Sequence, residues 1–146
     1  MAGQLLYDDL IMDHIKNARN YRVIEDADRS AEGSNPLCGD EMTVYLRMEA
    51  ERIRDISYQC TCCGISMASA SMMTEQIMGK DVAEVRRLVQ TFREMIERPA
   101  DFESPRDAPT VQAMLETVRQ YPSRVRCAAL PWTTLGTLLD EKPANP

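Results

Sequence analysis

The fold is decided by residues 42–79, which read MTVYLRMEAERIRDISYQCTCCGISMASASMMTEQIMG. Between positions 42 and 48, apolar residues alternate with more polar ones, which predicts a strand with one buried face. Positions 50–51 predict a tight turn, and positions 52–58 predict the returning strand. The stretch therefore indicates an antiparallel hairpin, although its turn lacks the Asn-Gly signature.

The second half of this stretch has a different character. Residues 65–78 are rich in Ala, Ser and Met and predict a helix that approaches a sheet closely, with Gly79 as its C-cap. Residues 21–33 show no clear period and predict at most a weak edge strand. Further helices are predicted at 5–17, 82–96 after the capping residue Asp81, 109–120 and 128–139. Strands followed by a run of helices indicate an α+β domain: an antiparallel sheet of about three strands with helices on one face.

The chain has 146 residues and predicts one domain spanning 1–146, with 1–4 and 140–146 as flexible tails. It carries 17 Lys+Arg and 23 Asp+Glu, a formal charge of −6, without a basic stripe. Nucleic acid is excluded as a partner, because phosphate neutralisation supplies most of that affinity. No apolar run reaches the roughly 18–20 residues of a membrane span. Asp8 and Asp9 interrupt the N-terminal apolar residues, so we expect no secretory leader and a cytoplasmic protein.

The cysteines carry the chemical information. Their number is odd, so they cannot all pair within one chain, and in a reducing compartment clustered cysteines indicate metal binding or thiol chemistry. The five are Cys38, Cys60, Cys62, Cys63 and Cys127.

Three positions look suited to thiolate chemistry. Cys38 and Asp40 flank Gly39, whose backbone freedom would let both side chains turn toward one metal ion. Cys63 lies where the hairpin gives way to a helix, and the positive end of a helix dipole favours the thiolate. Cys127 is predicted just ahead of the last helix, with arginines close by.

Three thiolates and one carboxylate make four ligands, a set that suits Zn²⁺ or an iron–sulfur cluster. Their separations along the chain match no zinc-finger spacing, so spacing alone is a weak signal. A zinc ion that only stabilises the fold is one interpretation. The other interpretation is a metal site carried by a complete domain, because these ligands are spread over the whole chain.

Four segments resemble the IscU/NifU family of iron–sulfur assembly proteins. Residues 35–40, NPLCGD, resemble the family's first cysteine motif, and 63–73, CGISMASASMM, resemble the long and specific second motif. Residues 124–128, RVRCA, resemble the third, and 10–20 are similar to the family's first helix. The resemblance covers nearly the whole chain and implies the family's α+β fold.

Within this family the chain is most similar to the SufU branch. Arg126 stands where IscU-type scaffolds carry a His, and the extra length expected of SufU would fall within about 97–110. The SufU resemblance implies a sulfurtransferase partner of a SufS-type, pyridoxal-phosphate cysteine desulfurase, passing sulfur to a downstream scaffold or acceptor protein. It implies a zinc ion held by Cys38, Asp40, Cys63 and Cys127. The IscU resemblance implies instead a scaffold that builds a transient [2Fe–2S] cluster on the same ligands, Cys38, Cys63 and Cys127 among them.

The mechanism we expect is that of a sulfur carrier rather than a stand-alone enzyme. Cys38, on a glycine-flanked loop, would leave the metal, attack the outer sulfur of the desulfurase persulfide and carry that sulfur. Arg124, which matches an arginine of the SufU motif, and Arg126 would stabilise the anionic sulfur. The alternative for both arginines is a solvated basic edge.

Several residues depart from the family or admit more than one role. Cys60 and Cys62 stand where the family usually has small residues. Three interpretations of them remain open: residues without a role at the site, a redox pair, or extra metal ligands. Together with Cys63 they would also suit a structural-zinc or thiol-redox protein. Pro131 would free a carbonyl near Cys127, because proline lacks the N–H that would bond it. His14 is expected to be structural rather than a ligand.

Overall fold

The computed structural model describes residues 9–35, 39–97, 118 and 121–140. Within these ranges three strands precede most of the helices, in the order that the sequence predicts. The elements are α1 (Asp9–Lys16), β1 (Arg29–Asn35), β2 (Asp40–Glu49), β3 (Arg52–Thr61), α2 (Gly64–Ile77), α3 (Val82–Glu97) and α4 (Pro122–Asp140).

The strands form an antiparallel sheet in the order β1-β2-β3. Along β2, Met42, Val44 and Leu46 are buried, as the alternation predicts. The opposite face carries polar side chains, and Glu32 and Gln59 on it are exposed. Helices α2 and α4 pack against the sheet, and α1 and α3 pack against those two helices. The predicted α+β fold is therefore confirmed.

Two strand boundaries differ from the prediction. The edge strand β1 continues to Asn35, which pairs with Asp40 and lies two residues beyond the predicted limit at position 33. Strand β3 continues past position 58 to Thr61, because Met42 pairs with Cys60 and Glu41 with Thr61. The turn at 50–51 is present, and Ala50 adopts a positive φ of 57° there.

Helix α2 is buried around most of its circumference. Its small residues allow that position, since Ala68 and Ala70 lie inside the core and Ser69 Oγ donates to the carbonyl of Ala128 in α4 at 2.6 Å. The helix is followed by Gly79 with a positive φ of 80°, the backbone conformation that a glycine C-cap supplies. The predicted helix is confirmed, but it ends at Ile77 with Met78 as its C-cap, so Gly79 follows the cap rather than forming it.

Helix α4 begins at Pro122, six residues before the predicted start at position 128. Proline suits the first turn of a helix, where its missing N–H would have no partner. Consequently Cys127 lies inside the helix rather than ahead of it, and the prediction was wrong here. The helix packs on α3 through a stacked pair, Phe92 and Trp132, whose ring centroids are 4.7 Å apart.

Strand β1 lies close to α4 at Gly33. A Cβ atom at this position would come within 2.0 Å of Thr134 Oγ1 and 3.2 Å of Leu130 Cδ1. A glycine is therefore required for the helix and the edge strand to approach so closely.

Other predictions fall on residues outside the described ranges. These are the loop at 98–108, nearly all of the helix at 109–120, and the tails at 1–4 and 141–146, whereas residue 140 belongs to α4. Among the described helices, none combines the length and apolar character needed to cross a membrane.

Candidate metal site

Three of the four predicted ligands converge at one end of the helical layer. Asp40 begins β2, Cys63 is the N-cap of α2, and Cys127 lies in α4. One ligand atom from each, a carboxylate oxygen and two Sγ atoms, lies within 4.8 Å of the others. Asp40 and Cys127 are buried, whereas Cys63 is half-buried. We call Asp40, Cys63 and Cys127 the ligand cluster.

The fourth predicted ligand, Cys38, lies outside the described residues, as do its two preceding neighbours. The residues on either side of this segment are ordered into the β1–β2 hairpin. Gly39 has a φ of +73°, and its N–H donates to the carbonyl of Asn35 at 2.9 Å. The expected glycine conformation is therefore present next to Asp40, and the ligand role of Cys38 stays a prediction.

The Asp40 carboxylate is held in place by the first turn of α2. Its Oδ1 accepts the backbone N–H of Cys63 at 3.0 Å, and its Oδ2 lies 3.1 Å from Ser66 Oγ, whose single hydroxyl proton is shared between this oxygen and the carbonyl of Cys127. A negative charge at a helix N-terminus is stabilised by the exposed N–H groups and the helix dipole. A carboxylate has about four lone-pair positions, so these two hydrogen bonds leave capacity for a cation.

Ser66 was not predicted to belong to the site. Its Oγ also lies 2.9 Å from the carbonyl oxygen of Cys127 and 3.7 Å from Cys63 Sγ. It therefore contacts all three members of the ligand cluster. Its position three residues after Cys63, on the same face of a predicted helix, was the available signal.

The role of Ser66 follows from Pro131. In a regular α-helix the carbonyl of residue 127 would accept the N–H of residue 131, and proline has none. Ser66 Oγ donates to this carbonyl instead. The predicted free carbonyl near Cys127 is therefore found, together with the side chain that satisfies it.

Cys127 is fixed by α4 and by the end of β1. It is the sixth residue of the helix, so the predicted effect of a helix N-terminus directly after it is absent. The amide nitrogen of Asn35 lies 4.0 Å from its Sγ. Arg124 is half-buried one helical turn before Cys127, on the same side of the helix, whereas Arg126 is exposed.

The donor set suits zinc. Two thiols and a carboxylate are ligands that Zn²⁺ takes at about 2.0–2.3 Å in tetrahedral sites, which places ligand atoms roughly 3.5–3.8 Å apart. The three atoms here lie within 4.8 Å, so a contraction of about 1 Å would complete the geometry. Three ligands from three different elements leave one tetrahedral position for a fourth.

Cys60 and Cys62 are joined by a disulfide bond. In this state neither offers a thiolate to a metal. The interpretation of these residues as extra ligands therefore does not apply to this structure. Both are half-buried at the end of β3, directly before Cys63.

His14 lies apart from the ligand cluster, between α1 and α2. Its Nδ1 is 2.7 Å from Ser71 Oγ, and its ring is buried. Burial lowers the pKa of His14 below its ordinary value, with a further lowering by Arg19. The ring is therefore a neutral, hydrogen-bonded member of the helix interface.

The α+β domain thus brings two thiols and a carboxylate to one point, a group that could bind a metal ion. The chain belongs to the NifU-like N terminal domain family, whose model matches residues 6–128. The family identified from the cysteine motifs is confirmed by this match.

Curated relatives carry both names that the motifs suggested. The chain is similar to the zinc-dependent sulfurtransferase SufU of Bacillus subtilis (strain 168), with 35% identity over 130 residues, covering 89% of this chain and 86% of the relative. It is also similar to the iron–sulfur cluster assembly scaffold protein IscU of Thermotoga maritima, with 33% identity over 135 residues, covering 92% and 93%. The chain is accordingly an iron–sulfur cluster assembly protein of the SufU and IscU kind.

Solved structures agree with the fold. The SufU crystal structure of Fervidobacterium islandicum AW-1 is 33% identical, with a TM-score of 0.84 over 95% of this chain and 100% of that one. The N-terminal NifU-like protein of Brucella abortus has a TM-score of 0.81 over 92% of each chain. Its identity of 23% supports the fold alone.

Proposed function

We propose that this chain is a zinc-dependent sulfurtransferase of iron–sulfur cluster biogenesis. It accepts persulfide sulfur from a SufS-type cysteine desulfurase and passes it to the cluster assembly machinery. The observation that carries this proposal is the convergence of Asp40, Cys63 and Cys127 within 4.8 Å. The similarity to a SufU protein named as a zinc-dependent sulfurtransferase supports it.

Zinc bound by this cluster and Cys38 would keep the thiols deprotonated near neutral pH. In the transfer step the Cys38 thiolate attacks the outer sulfur of the desulfurase persulfide. A new S–S bond forms on Cys38, the S–S bond of the donor breaks, and the donor cysteine leaves as a thiolate. Asp40, Cys63 and Cys127 stay in place during this step, because β2, α2 and α4 hold them independently of residue 38.

Arg124 is the side chain that we assign to the incoming anionic sulfur. It lies on the same side of α4 as Cys127, and a guanidinium group is charged at every working pH. Arg126 is exposed and lies on a different side of the helix, so it corresponds better to a solvated residue.

The second candidate function is a scaffold that assembles a transient [2Fe–2S] cluster. The IscU relatives favour it, since they match most of this chain at a similar identity. The same ligand cluster would serve, because thiolates bind zinc and iron–sulfur clusters alike. Arg126, in place of the His expected of IscU-type scaffolds, favours the sulfurtransferase.

Metal analysis of the purified protein separates the two functions. We expect about one Zn²⁺ per chain, no visible absorbance, and a lower melting temperature after chelation, because metal binding adds to folding stability. Stoichiometric iron with a cluster spectrum would favour the scaffold.

Sulfur acceptance is tested by mass spectrometry after incubation with desulfurase and cysteine, without reductant. The wild-type peptide that contains Cys38 should gain the mass of one sulfur atom. Cys38→Ala should retain much of its zinc, since water can fill a fourth position, yet accept no sulfur there. A wild-type chain that accepts no sulfur, but assembles a cluster from iron and sulfide, would contradict the sulfurtransferase.

A further inference from the structure

The Cys60–Cys62 pair at the end of β3 is the feature that the proposed function does not use. We propose that it is a dithiol–disulfide couple that reduces persulfide sulfur at the metal site to sulfide. This activity rests on the proposed function, which brings persulfide sulfur to the site, and it makes the chain a source of sulfide as well as a carrier.

The position of the pair supports this role. The disulfide joins residues whose Cα atoms are 5.4 Å apart, and both residues are half-buried. Cys62 directly precedes Cys63, so their Cα atoms are about 3.8 Å apart. Cys63 in turn belongs to the ligand cluster. A two-electron thiol couple therefore directly precedes a member of the ligand cluster in the chain.

A structural role explains the pair poorly. A cross-link stabilises chiefly by closing a loop in the unfolded chain, and the loop between positions 60 and 62 is among the shortest possible. The backbone there is already fixed, because Cys60 pairs with Met42 and Thr61 with Glu41. Tyr21 adds to this, since its hydroxyl donates to the Cys60 carbonyl at 3.0 Å and accepts the Cys60 N–H at 3.4 Å.

The reaction balances with the residues present. The Cys62 thiolate attacks the outer sulfur of a persulfide R–S–SH, which gives R–SH and a persulfide on Cys62. The Cys60 thiolate then attacks Cys62 Sγ, so the Cys60–Cys62 disulfide forms and HS⁻ leaves. The dithiol loses two electrons, and the sulfane sulfur gains them to become sulfide.

The product of this reaction is the disulfide that the structure contains. Returning it to the dithiol needs a dithiol reductant, either a protein or a small molecule. Both residues of the pair are half-buried rather than fully enclosed, so a reductant approaches them from the partly exposed end of β3.

The test uses the full-length, metal-loaded chain, reduced and then freed of reductant under anaerobic conditions. Glutathione persulfide is the probe, so the result does not depend on a desulfurase. We expect the wild type to release about one sulfide per chain, while the peptide with Cys60 and Cys62 loses two hydrogens. Cys60→Ser should stop at the first step, with one extra sulfur on Cys62 and no sulfide release.

Matched variants decide the outcome. Thr61→Ala keeps both thiols and should release sulfide like the wild type, whereas Cys62→Ser should release only the background amount. Sulfide release by the wild type no greater than by the Cys60→Ser, Cys62→Ser double variant would overturn the proposal. Sulfide release by the wild type without formation of the disulfide would also overturn the proposal. This measurement uses the wild type alone, so it does not depend on whether a variant folds. A chain that passes this test and yet accepts no sulfur from the desulfurase would contradict the proposed function alone.

Discussion

Helix α2 contacts two buried polar clusters that differ in how their hydrogen bonds are satisfied. The hydrogen-bonded cluster consists of His14, Arg19, Asn20, Ser71 and Thr74. In it Ser71 Oγ is 2.7 Å from His14 Nδ1 and accepts the Arg19 N–H at 2.9 Å, and Thr74 Oγ1 accepts from Asn20 at 3.0 Å. These short contacts satisfy the polar atoms within the protein.

The ligand cluster contrasts with it. Its oxygen atoms make short hydrogen bonds, but the Sγ contacts are long: 3.7 Å from Cys63 to Ser66 Oγ, and 4.0 Å from Cys127 to Asn35 Nδ2. One ligand atom from each of Asp40, Cys63 and Cys127 lies within 4.8 Å of the others, so a single cation would contact all three. Polar residues that contact one helix thus form a hydrogen-bonded interface in one place and a group that could bind a metal ion in another.

The strongest test of this contrast removes one thiol. Cys63→Ser and Cys127→Ser should each abolish zinc retention and sulfur acceptance, because an alcohol is a poor substitute for a soft thiolate ligand. Ser71→Ala is the matched control in the hydrogen-bonded cluster. It should retain zinc and lose about 1–3 kcal/mol of stability, since buried groups lose their partner. Metal content and urea unfolding measure the two effects.

The double change of Cys60 and Cys62 to Gly is a further control for the ligand assignment. It should leave zinc retention and sulfur acceptance largely intact, because neither residue belongs to the ligand cluster. If this double variant lost zinc while Cys127→Ser retained it, the assignment of the ligands would be wrong.

A smaller effect is expected at Ser66, which links the ligands without binding the metal. Ser66→Ala leaves the Cys127 carbonyl without its side-chain donor and should cost about 1–3 kcal/mol. It should also weaken zinc binding by about 10–100-fold, as loss of a residue that orients ligands does. Unfolding and competition with a chelator measure both.

Pro131→Ala makes this test specific, because it restores an N–H that can bond to the same carbonyl. In that background Ser66→Ala should cost clearly less stability than in the wild type. Equal costs in the two backgrounds would show that the carbonyl of Cys127 is not what Ser66 satisfies.

The smallest effect concerns the hydrogen-bonded cluster and pH. Burial lowers the pKa of His14 below its ordinary 6.5, Arg19 lowers it further, and Glu75 and Asp13 oppose that lowering. The unfolded chain therefore takes up the proton at a higher pH than the folded chain does. The contribution of neutral His14 is complete above about pH 6.5 and is lost as the pH falls toward the folded-state pKa.

Urea unfolding at about pH 7.5 and about pH 5 should show a larger loss of stability for the wild type than for His14→Gln. The Arg22 hydrogen bond lowers the pKa of Asp55 below 3.8, so its contribution is lost only at lower pH and does not interfere. An identical loss in both chains would mean that His14 does not titrate differently on folding.

The sequence predicted those elements whose residues carry their own periodic signal. The alternation at 42–48 marks β2, and the small residues before Gly79 mark α2, because each pattern fits one local geometry. Strand β1, RSAEGSN, has no such pattern, and its pairing with β2 decides its extent. The start of α4 at Pro122 was not predicted, although proline suits the first turn of a helix.

The candidate site could be predicted only in part for a related reason. The residue types and the family motifs pointed to Asp40, Cys63 and Cys127, but their convergence depends on how α4 packs against α2 and β2. Ser66 was missed, because its task arises from Pro131 in another helix. Its position one helical turn after Cys63 placed it near the predicted ligands, but not next to a carbonyl of another helix.

The close approach at Gly33 has a consequence for the exchange of the ion. Cys127 is carried by α4 and Asp40 by the hairpin that contains Gly33, so the two ligands separate whenever the helix lifts from that strand. Lifting it would expose Leu130, which is buried against this strand. We therefore expect the release of a bound ion to require local unfolding of α4, so that amide hydrogen exchange in α4 and the release rate of the ion change together.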